Sequence, residues 1–305
     1  MNFSSMDYFV MVAQEQSFTR AAERLHITQQ TLSAHIANLE KEVGGRLFVR
    51  TVPLTLTYAG QVFLEYAIDF RRRYQDLERT MGDISSSRKG LLRIGISAIR
   101  GRATMPALIH EFHQRNPQIS VRLIEVANDQ LIPSLMDGEI DLAVTDLSRA
   151  GPGLEVWDFY QEEIILAAAR TLVERLYGSR AGLEERMERE GNAILEDFPF
   201  LLGSPHGVIG HFSRGFLAQA GIIPNVAAVS FNIETLLEMC VLGEGACFCS
   251  ERLMRVALPQ EKIDRLELFR LGEEARCMIR FACLKQKRRW SVLEDFIAVM
   301  LQNTT

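Results

Sequence analysis

The sequence predicts an α/β protein in three parts: a helical head ending in a small hairpin, one long helix, and a larger region of alternating strands and helices. Three observations predict it. Apolar residues recur at helical spacing through residues 1–45, a seven-residue apolar repeat runs between Tyr58 and Ile84, and beyond residue 90 strand-like apolar runs alternate with amphipathic ones. At 305 residues, 47% hydrophobic and 24% charged, the chain holds material for two or three cored domains and is too apolar for bulk disorder.

In the head, Met6, Phe9, Val10 and Ala13 make one apolar stripe, Phe18, Ala21, Ala22 and Leu25 a second, and Leu32, Ile36, Leu39 and Val43 a third. Breaks at Glu15–Ser17 and at His26-Ile27-Thr28 divide these into three short helices, and Gly44-Gly45 stops the third. Leu47-Phe48-Val49 and Leu54-Thr55-Leu56-Thr57 then flank a turn containing Pro53, the pattern of a small hairpin. From Tyr58 the spacing is helical again. Phe63, Phe70, Leu77 and Ile84 recur every seven residues with Ala67, Tyr74 and Met81 between them, an a/d seam over three heptads. Ser85 to Gly90 reads as a polar, flexible joint.

Strand-like runs at Leu92–Ile96, Val121–Val126, Asp141–Thr145, Glu163–Ala169, 200–202, Val226–Ser230 and Ala246–Cys249 alternate with helical stretches. Those stretches lie near Pro106–Gln114, Gln130–Asp137, His211–Ala220 and Ile233–Leu242. This alternation predicts α/β layering on a largely parallel sheet. Arg170–Ala193 is charge-rich and helical in pattern.

Composition narrows the function. The longest apolar stretch, Ile164–Ala169, is far too short to span a membrane, so no membrane partner is expected. The first residues lack a basic stretch followed by an apolar one, so a secretory signal is not expected. Five cysteines, all in the last quarter, suit a reducing cytoplasm better than a disulfide framework. The net charge of -5 is uneven: residues 1–90 carry eleven Lys/Arg and ten Asp/Glu, residues 91–305 twenty-three and twenty-nine. Any nucleic-acid contact in the head must therefore come from a local patch.

The third helix offers that patch. Opposite its apolar stripe lie Gln30, Ser33, Ala34 and Ala37, with Gln29 and Thr31 at the start and Thr28 as the cap. Small residues, amides and hydroxyls at an N-terminal helix end suit a major groove, where Gln pairs with adenine edges and the helix N–H groups hold a phosphate. The runs Ser17-Phe18-Thr19-Arg20-Ala21-Ala22-Glu23-Arg24-Leu25, Thr28-Gln29-Gln30-Thr31-Leu32-Ser33 and Leu39-Glu40 carry the pattern onward. Gly45-Arg46-Leu47-Phe48-Val49-Arg50 and Leu56-Thr57-Tyr58-Ala59-Gly60 complete it. Together they resemble, in order and spacing, the DNA-binding domain of LysR-type transcriptional regulators. Gly138-Glu139-Ile140-Asp141-Leu142-Ala143-Val144 is similar to a motif of that family's sensing domain.

The resemblance implies a winged helix-turn-helix over 1–58, a linker and dimerisation helix over 59–88, and a two-lobed, periplasmic-binding-protein-like α/β effector domain over 89–305. Its lobes would be about 91–165 with 270–305, and about 166–269, with crossing strands near Leu166–Ala169 and Leu266–Phe269. It implies a cytoplasmic homodimer or dimer of dimers, paired through Phe63, Ala67, Phe70, Tyr74 and Leu77, that binds double-stranded promoter DNA and has RNA polymerase as a further possible partner. The DNA contacts would fall on Arg20, Thr28, Gln29, Gln30, Thr31, Ser33, His35, Asn38 and Arg50. The sequence departs from the family where Gln30 stands in place of the common Pro and Ala34 in place of a frequent Arg. The wing, Thr51-Val52-Pro53-Leu54-Thr55, lacks the usual basic residues and leaves Arg50 as its main cation.

A two-lobed α/β domain takes its ligand between lobes, at strand ends and helix N-termini. The candidates are Ser97, Ile99, Arg100, Asn128, Thr145, Asp146, Ser204, His206, Gly207, Asn232 and Phe248. Ile99 replaces a common hydroxyl residue and Arg100 adds a cation, so an organic anion, a carboxylate with an apolar body, is expected. The alternative is a thiol-based redox sensor using Cys240, Cys247 and Cys249, where the simpler reading of the cysteines is small buried apolar residues. No cofactor and no metal site are expected, since the histidines lack metal spacing, and no nucleophile–base pair marks an enzyme.

Overall fold

The computed structural model describes residues 3–51, 53–84, 90–147, 151–205, 207–272, 275–286 and 289–303. The expected joint over 85–89 lies outside them. The chain separates into two compact units, Met1–Arg88 and Lys89–Thr305.

The first unit holds α1 (Phe3–Glu15), α2 (Phe18–Arg24), α3 (Gln29–Val43), the strands β1 (Phe48–Val49) and β2 (Thr55–Leu56), and α4 (Tyr58–Ile84). Local chemistry sets each boundary. Ser17 accepts a hydrogen bond from the Arg20 N–H at 3.4 Å to start α2, and Thr28 accepts from the Thr31 N–H at 3.2 Å to start α3. Gly44 ends α3 at φ +76°, where a side chain would be strained. Phe9, Val12, Leu32 and Ile36 are fully buried between the three helices. The Phe9 ring meets Phe48 at 5.0 Å and Phe63 at 4.9 Å, tying hairpin and long helix to the same core.

Polar bonds finish the attachment. The Glu40 carboxylate accepts from the N–H groups of Leu47 at 2.8 Å and Phe48 at 3.2 Å. The Thr57 hydroxyl donates to the Arg46 carbonyl at 2.7 Å and accepts from the Gly60 N–H at 2.9 Å. Gly60 is the tightest point, because a Cβ there would stand 2.0 Å from the Leu47 carbonyl oxygen.

The second unit runs β3 (Gly90–Ile96), α5 (Ala98–Arg115), β4 (Ile119–Glu125), α6 (Asn128–Met136), β5 (Leu142–Thr145) and β6 (Leu154–Ala169). It continues through α7 (Arg170–Tyr177), α8 (Arg180–Glu190), a 3-10 turn (Gly191–Asp197), β7 (Pro199–Gly203), α9 (Val208–Gln219), β8 (Asn225–Ser230), α10 (Ile233–Val241) and β9 (Ala246–Ser250). It closes with α11 (Glu251–Ala257), α12 (Gln260–Ile263), β10 (Leu266–Arg270), β11 (Arg276–Leu284) and α13 (Ser291–Gln302). The strand order is β4-β3-β5-β11-β6-β9-β7-β8, with β10 also on β6. Two cores flank β6 and define two lobes. One gathers Leu92, Phe112, Phe281 and Phe296, the other Phe198, Phe200, Leu236 and Phe248.

Three elements differ from the sequence expectation. The sheet is mixed: β3 pairs parallel with β4 and β5, and β7 with β8 and β9, but every pairing of β6 and β11 is antiparallel. The strand expected from Glu163 begins at Leu154 and is 16 residues long, since it lies first beside β11 and then between β9 and β10. Helix α5 begins at Ala98, eight residues before Pro106. Proline is at home in a first turn, which placed the helix start at Pro106, yet it is also tolerated inside at the cost of one backbone hydrogen bond. The charged stretch after β6 forms α7 and α8, laced by pairs such as Arg180–Glu184 and Arg186–Glu190 and anchored by Arg170 and Arg180 on Glu267.

The crowding at Gly60 gives a direct test. Gly60→Ala forces the long helix off the Leu47 carbonyl and should destabilise the first unit by about 1–3 kcal/mol, despite the better helix propensity of alanine. Thermal melts of wild type and variant check this, and an unchanged melting temperature would contradict the close approach.

Candidate functional site

Two surfaces gather the residues singled out by the sequence, one on each unit. On the first, Leu32, Ile36 and Leu39 turn α3 inward and leave Gln29, Gln30, Thr31, Ala34 and Asn38 exposed, with Ser33 and His35 half-buried. The Thr28 and Thr31 hydroxyls are 2.8 Å apart, and the His35 ring meets the Tyr8 ring edge-on at 5.0 Å. His35 is thereby partly committed to packing. Arg20 donates to the carbonyl of Glu15 and to its carboxylate, which also takes Arg24. Its side chain is still 63% exposed, so its charge stays at the rim of the face. Arg50 is exposed beside the hairpin.

The long-helix seam divides in two. Ala67 is 2% exposed and Phe63 is half-buried against Phe9, so both belong to the core of their own unit. On these turns α4 spends the stripe on the head, Ala67 wholly and Phe63 in part. Further along, Phe70 and Leu77 are 45% and 56% exposed, and Tyr66, Tyr74 and Met81 are exposed with them.

On the second unit a cavity of about 650 Å³ opens between the two lobes. Its wall is built from the first turns of α5, α6, α9 and α10, each preceded by a strand end, together with Ser250 and Leu253. Ser97, Ile99, Arg100, Asn128, Ser204, Gly207 and Asn232 all line it. Asn232 caps α10, accepting from the Glu234 N–H at 2.8 Å. Gly210 lets α9 approach the Ser204 carbonyl so closely that a Cβ would stand 1.8 Å from it. The Ser97 hydroxyl is buried with no hydrogen-bond partner.

Other candidates sit elsewhere. Thr145 and Asp146 do not line the cavity; both bond to the Asn128 side chain and so position a wall residue from behind. Phe248 is also off the wall: it is 2% exposed, its ring 5.9 Å from Phe200 and 5.7 Å from Phe216 in the lobe core. The strand turns its side chain into the lobe core. His206 lies outside the described residues. The sequence reading missed Val208, Ile209 and Gly210, because it began that helix at His211, and it missed Arg102, Glu125 and Glu234, which no motif marks.

Arg100 lines the cavity but is not a free cation. Its Nε and Nη2 donate to the two Glu162 carboxylate oxygens at 3.0 and 2.8 Å, and the Tyr160 hydroxyl donates to the same carboxylate at 3.1 Å. The Arg252 guanidinium lies 4.3 Å from the Tyr160 ring centre, joining α11 to the cluster. Arg102 forms a 2.9 Å ion pair with Glu234, reaching from one lobe to the other. Cys240, Cys247 and Cys249 are buried, and burial pushes their thiols up, Cys240 to about 12. A thiolate at neutral pH is disfavoured at all three. No group of three or more potential metal ligands occurs among the described residues, and no described helix is long and apolar enough to cross a membrane.

A helix-turn-helix with a hairpin wing is joined in one chain to a bilobed α/β domain with an interlobe cavity. Residues 3–61 match the model of the bacterial regulatory helix-turn-helix protein, lysR family, and residues 85–305 match that of the LysR substrate binding domain. The chain belongs to the LysR family. Among its relatives, the "Uncharacterized HTH-type transcriptional regulator YcgK" of Bacillus subtilis (strain 168) is 32% identical over 84% of this chain and 82% of its own length. The "Hydrogen peroxide-inducible genes activator" of Dickeya chrysanthemi is 27% identical over 86% and 82%. In fold the chain is similar to CbnR, a LysR family transcriptional regulator, with a TM-score of 0.64 and 22% identity over all of both chains. Full-length OxyR from Pseudomonas aeruginosa gives a TM-score of 0.67 and 20% identity over 98% and 94%.

The buried ion pair behind the cavity can be tested by halves. Arg100→Met or Glu162→Leu alone strands a buried charge and should cost about 3–5 kcal/mol, while the double substitution should cost clearly less than either. Urea unfolding of the three variants checks the order.

Proposed function

We propose that this protein is a cytoplasmic, homodimeric regulator that reads double-stranded operator DNA with α3 and is switched by a small organic acid held between the lobes of the second unit. The observation that carries the reading is the interlobe cavity, where four helix N-termini meet one space and Ser97, whose buried hydroxyl has no partner, lies on the wall. Helix N-termini attract negative charge, and a buried hydroxyl without a partner is costly until something bonds to it. A carboxylate meets both needs, and its apolar body would rest on Ile99, Ile233 and Leu253. The effector contacts proposed are Ser97, Ile99, Asn128, Ser204, Gly207 and Asn232, with Arg100 contributing only through its paired guanidinium. The redox alternative draws support from the name of the Dickeya relative. The buried, raised thiols weigh against it, and the ligand reading is preferred.

The base-reading set proposed is Gln29, Gln30, Ser33 and Asn38, with Thr28, Thr31, Arg20 and Arg50 on the phosphates. A complex of CbnR with its target DNA supports the groove-reading role by family analogy. Gln29→Ala or Ser33→Ala should weaken specific operator binding by about 1–3 kcal/mol and leave non-specific binding nearly unchanged. Gel-shift titrations on an operator selected from random duplexes, against scrambled DNA, check this; equal losses on both would remove these side chains from base reading.

The partner proposed for the outer half of α4 is a second copy of the same helix, because its exposed stripe follows heptad spacing. Phe70→Glu with Leu77→Glu should give a folded monomer that has lost tight operator binding, since a half-site alone binds weakly. Sedimentation decides it: an intact dimer in the double variant would sink the assignment.

A further inference from the structure

The charges on the cavity wall define the ligand more narrowly than an acid. Two cations line it, Arg100 and Arg102, and both are already paired, with Glu162 at 2.8 Å and Glu234 at 2.9 Å. The Glu162 side chain is fully buried, so that pair does not open to a ligand without stranding a charge. Glu125, at the end of β4, also lines the cavity, with no hydrogen bond or ion pair among the described residues. Its carboxylate leans over the first turn of α5, an oxygen 3.5 Å from where a Cβ on Gly101 would stand. Of the charged side chains that line the cavity, Glu125 is thus the one without an opposite charge beside it among the described residues, while behind the wall Arg214 donates to the Gly203 and Gly210 carbonyls at 3.1 and 3.0 Å.

A ligand bearing only a carboxylate finds no unpaired cation among the lining residues, and it meets the like charge of Glu125. A ligand that carries a protonated amine as well finds a partner for each end. Its carboxylate takes the buried Ser97 hydroxyl and the helix N–H groups, and its ammonium takes Glu125. We propose that the effector is amphoteric, an amino acid or a close relative with an apolar body, and that Glu125 selects it over the corresponding simple acid. The proposal rests on the reading of this cavity as the effector site. It narrows the organic acid of that reading to one that also carries an amine.

The test uses the full chain and thermal-shift titration, which converts melting temperature against ligand concentration into a dissociation constant. The probes are the protein amino acids and a series of ω-amino acids from β-alanine to ε-aminocaproate. Each is run beside its deaminated acid and its decarboxylated amine, for instance leucine beside isocaproate and isoamylamine. At least one amphoteric probe should bind about tenfold or more tightly than both its twins. Glu125→Gln is at an exposed position and should melt like wild type without ligand. It should erase most of that preference by weakening the amphoteric probe and not the acid. Ser97→Ala should weaken amphoteric probe and acid alike. An acid that binds as well as its amino counterpart, or a preference that survives Glu125→Gln, overturns the proposal. Hits confined to acids and weakened by Ser97→Ala would keep the cavity as an effector site while removing the amine. Silence across all three panels would overturn the zwitterion and tell equally against the small-acid reading on which it rests.

Discussion

A guanidinium taken out of water has to be met by a carboxylate held in place, and Arg100 meets Glu162 across 62 residues of chain. The pair fixes the first turn of α5 against β6, and the Tyr160 hydroxyl and the Arg252 stack extend the contact to α11. The position of Ser97, one residue before that helix, and of Gly101 and Arg102 within its opening turns follows from this anchor. So does the electrostatic character of the cavity, because the most buried cation on its wall is neutralised from behind. The rest of the polar wall is helix N–H groups, serine hydroxyls, the Asn128 and Asn232 amides and two carboxylates, one of them bridged to Arg102.

The first unit is organised by a different constraint, the close approach of α4 to the hairpin strand. Gly60 allows it sterically, and Thr57 satisfies the polar groups at the junction. Glu40 holds the other side of β1 from α3. The helix whose outer face is available to bases is therefore bonded through β1 to the helix with the exposed heptad stripe. Orientation of one against the other is set within a single small core of aromatic contacts, not by a flexible connection.

The parts of this arrangement that are local in sequence were legible in it. Ser17, Thr28 and Gly44 mark helix ends by their own hydrogen bonds and φ angles, and the stripes of α1 to α3 follow from periodicity. What failed was non-local. Phe63 and Ala67 continue the same heptad as Phe70 and Leu77, and periodicity does not say which partner a stripe meets at each turn. Arg100 and Arg102 are two residues apart and chemically identical, and only Glu162 and Glu234 decide which is buried and which bridges the lobes. The start of α5 was hidden because Pro106 reads as a beginning. The loops on the cavity wall were found by strand-helix alternation, but Thr145, Asp146 and Phe248 needed side-chain directions that a linear pattern does not give.

The continuity of β6 has a mechanical consequence. Sixteen residues of extended chain span about 50 Å at roughly 3.3 Å each, and this one strand is hydrogen-bonded into the sheets of both lobes. Rotation of one lobe against the other is then carried along this connection as twist and bend of a laddered strand, which behaves as a leaf spring and not as a free pivot. Turning one lobe against the other therefore meets a restoring force that grows with angle, and the work done in turning it is stored in the laddered backbone.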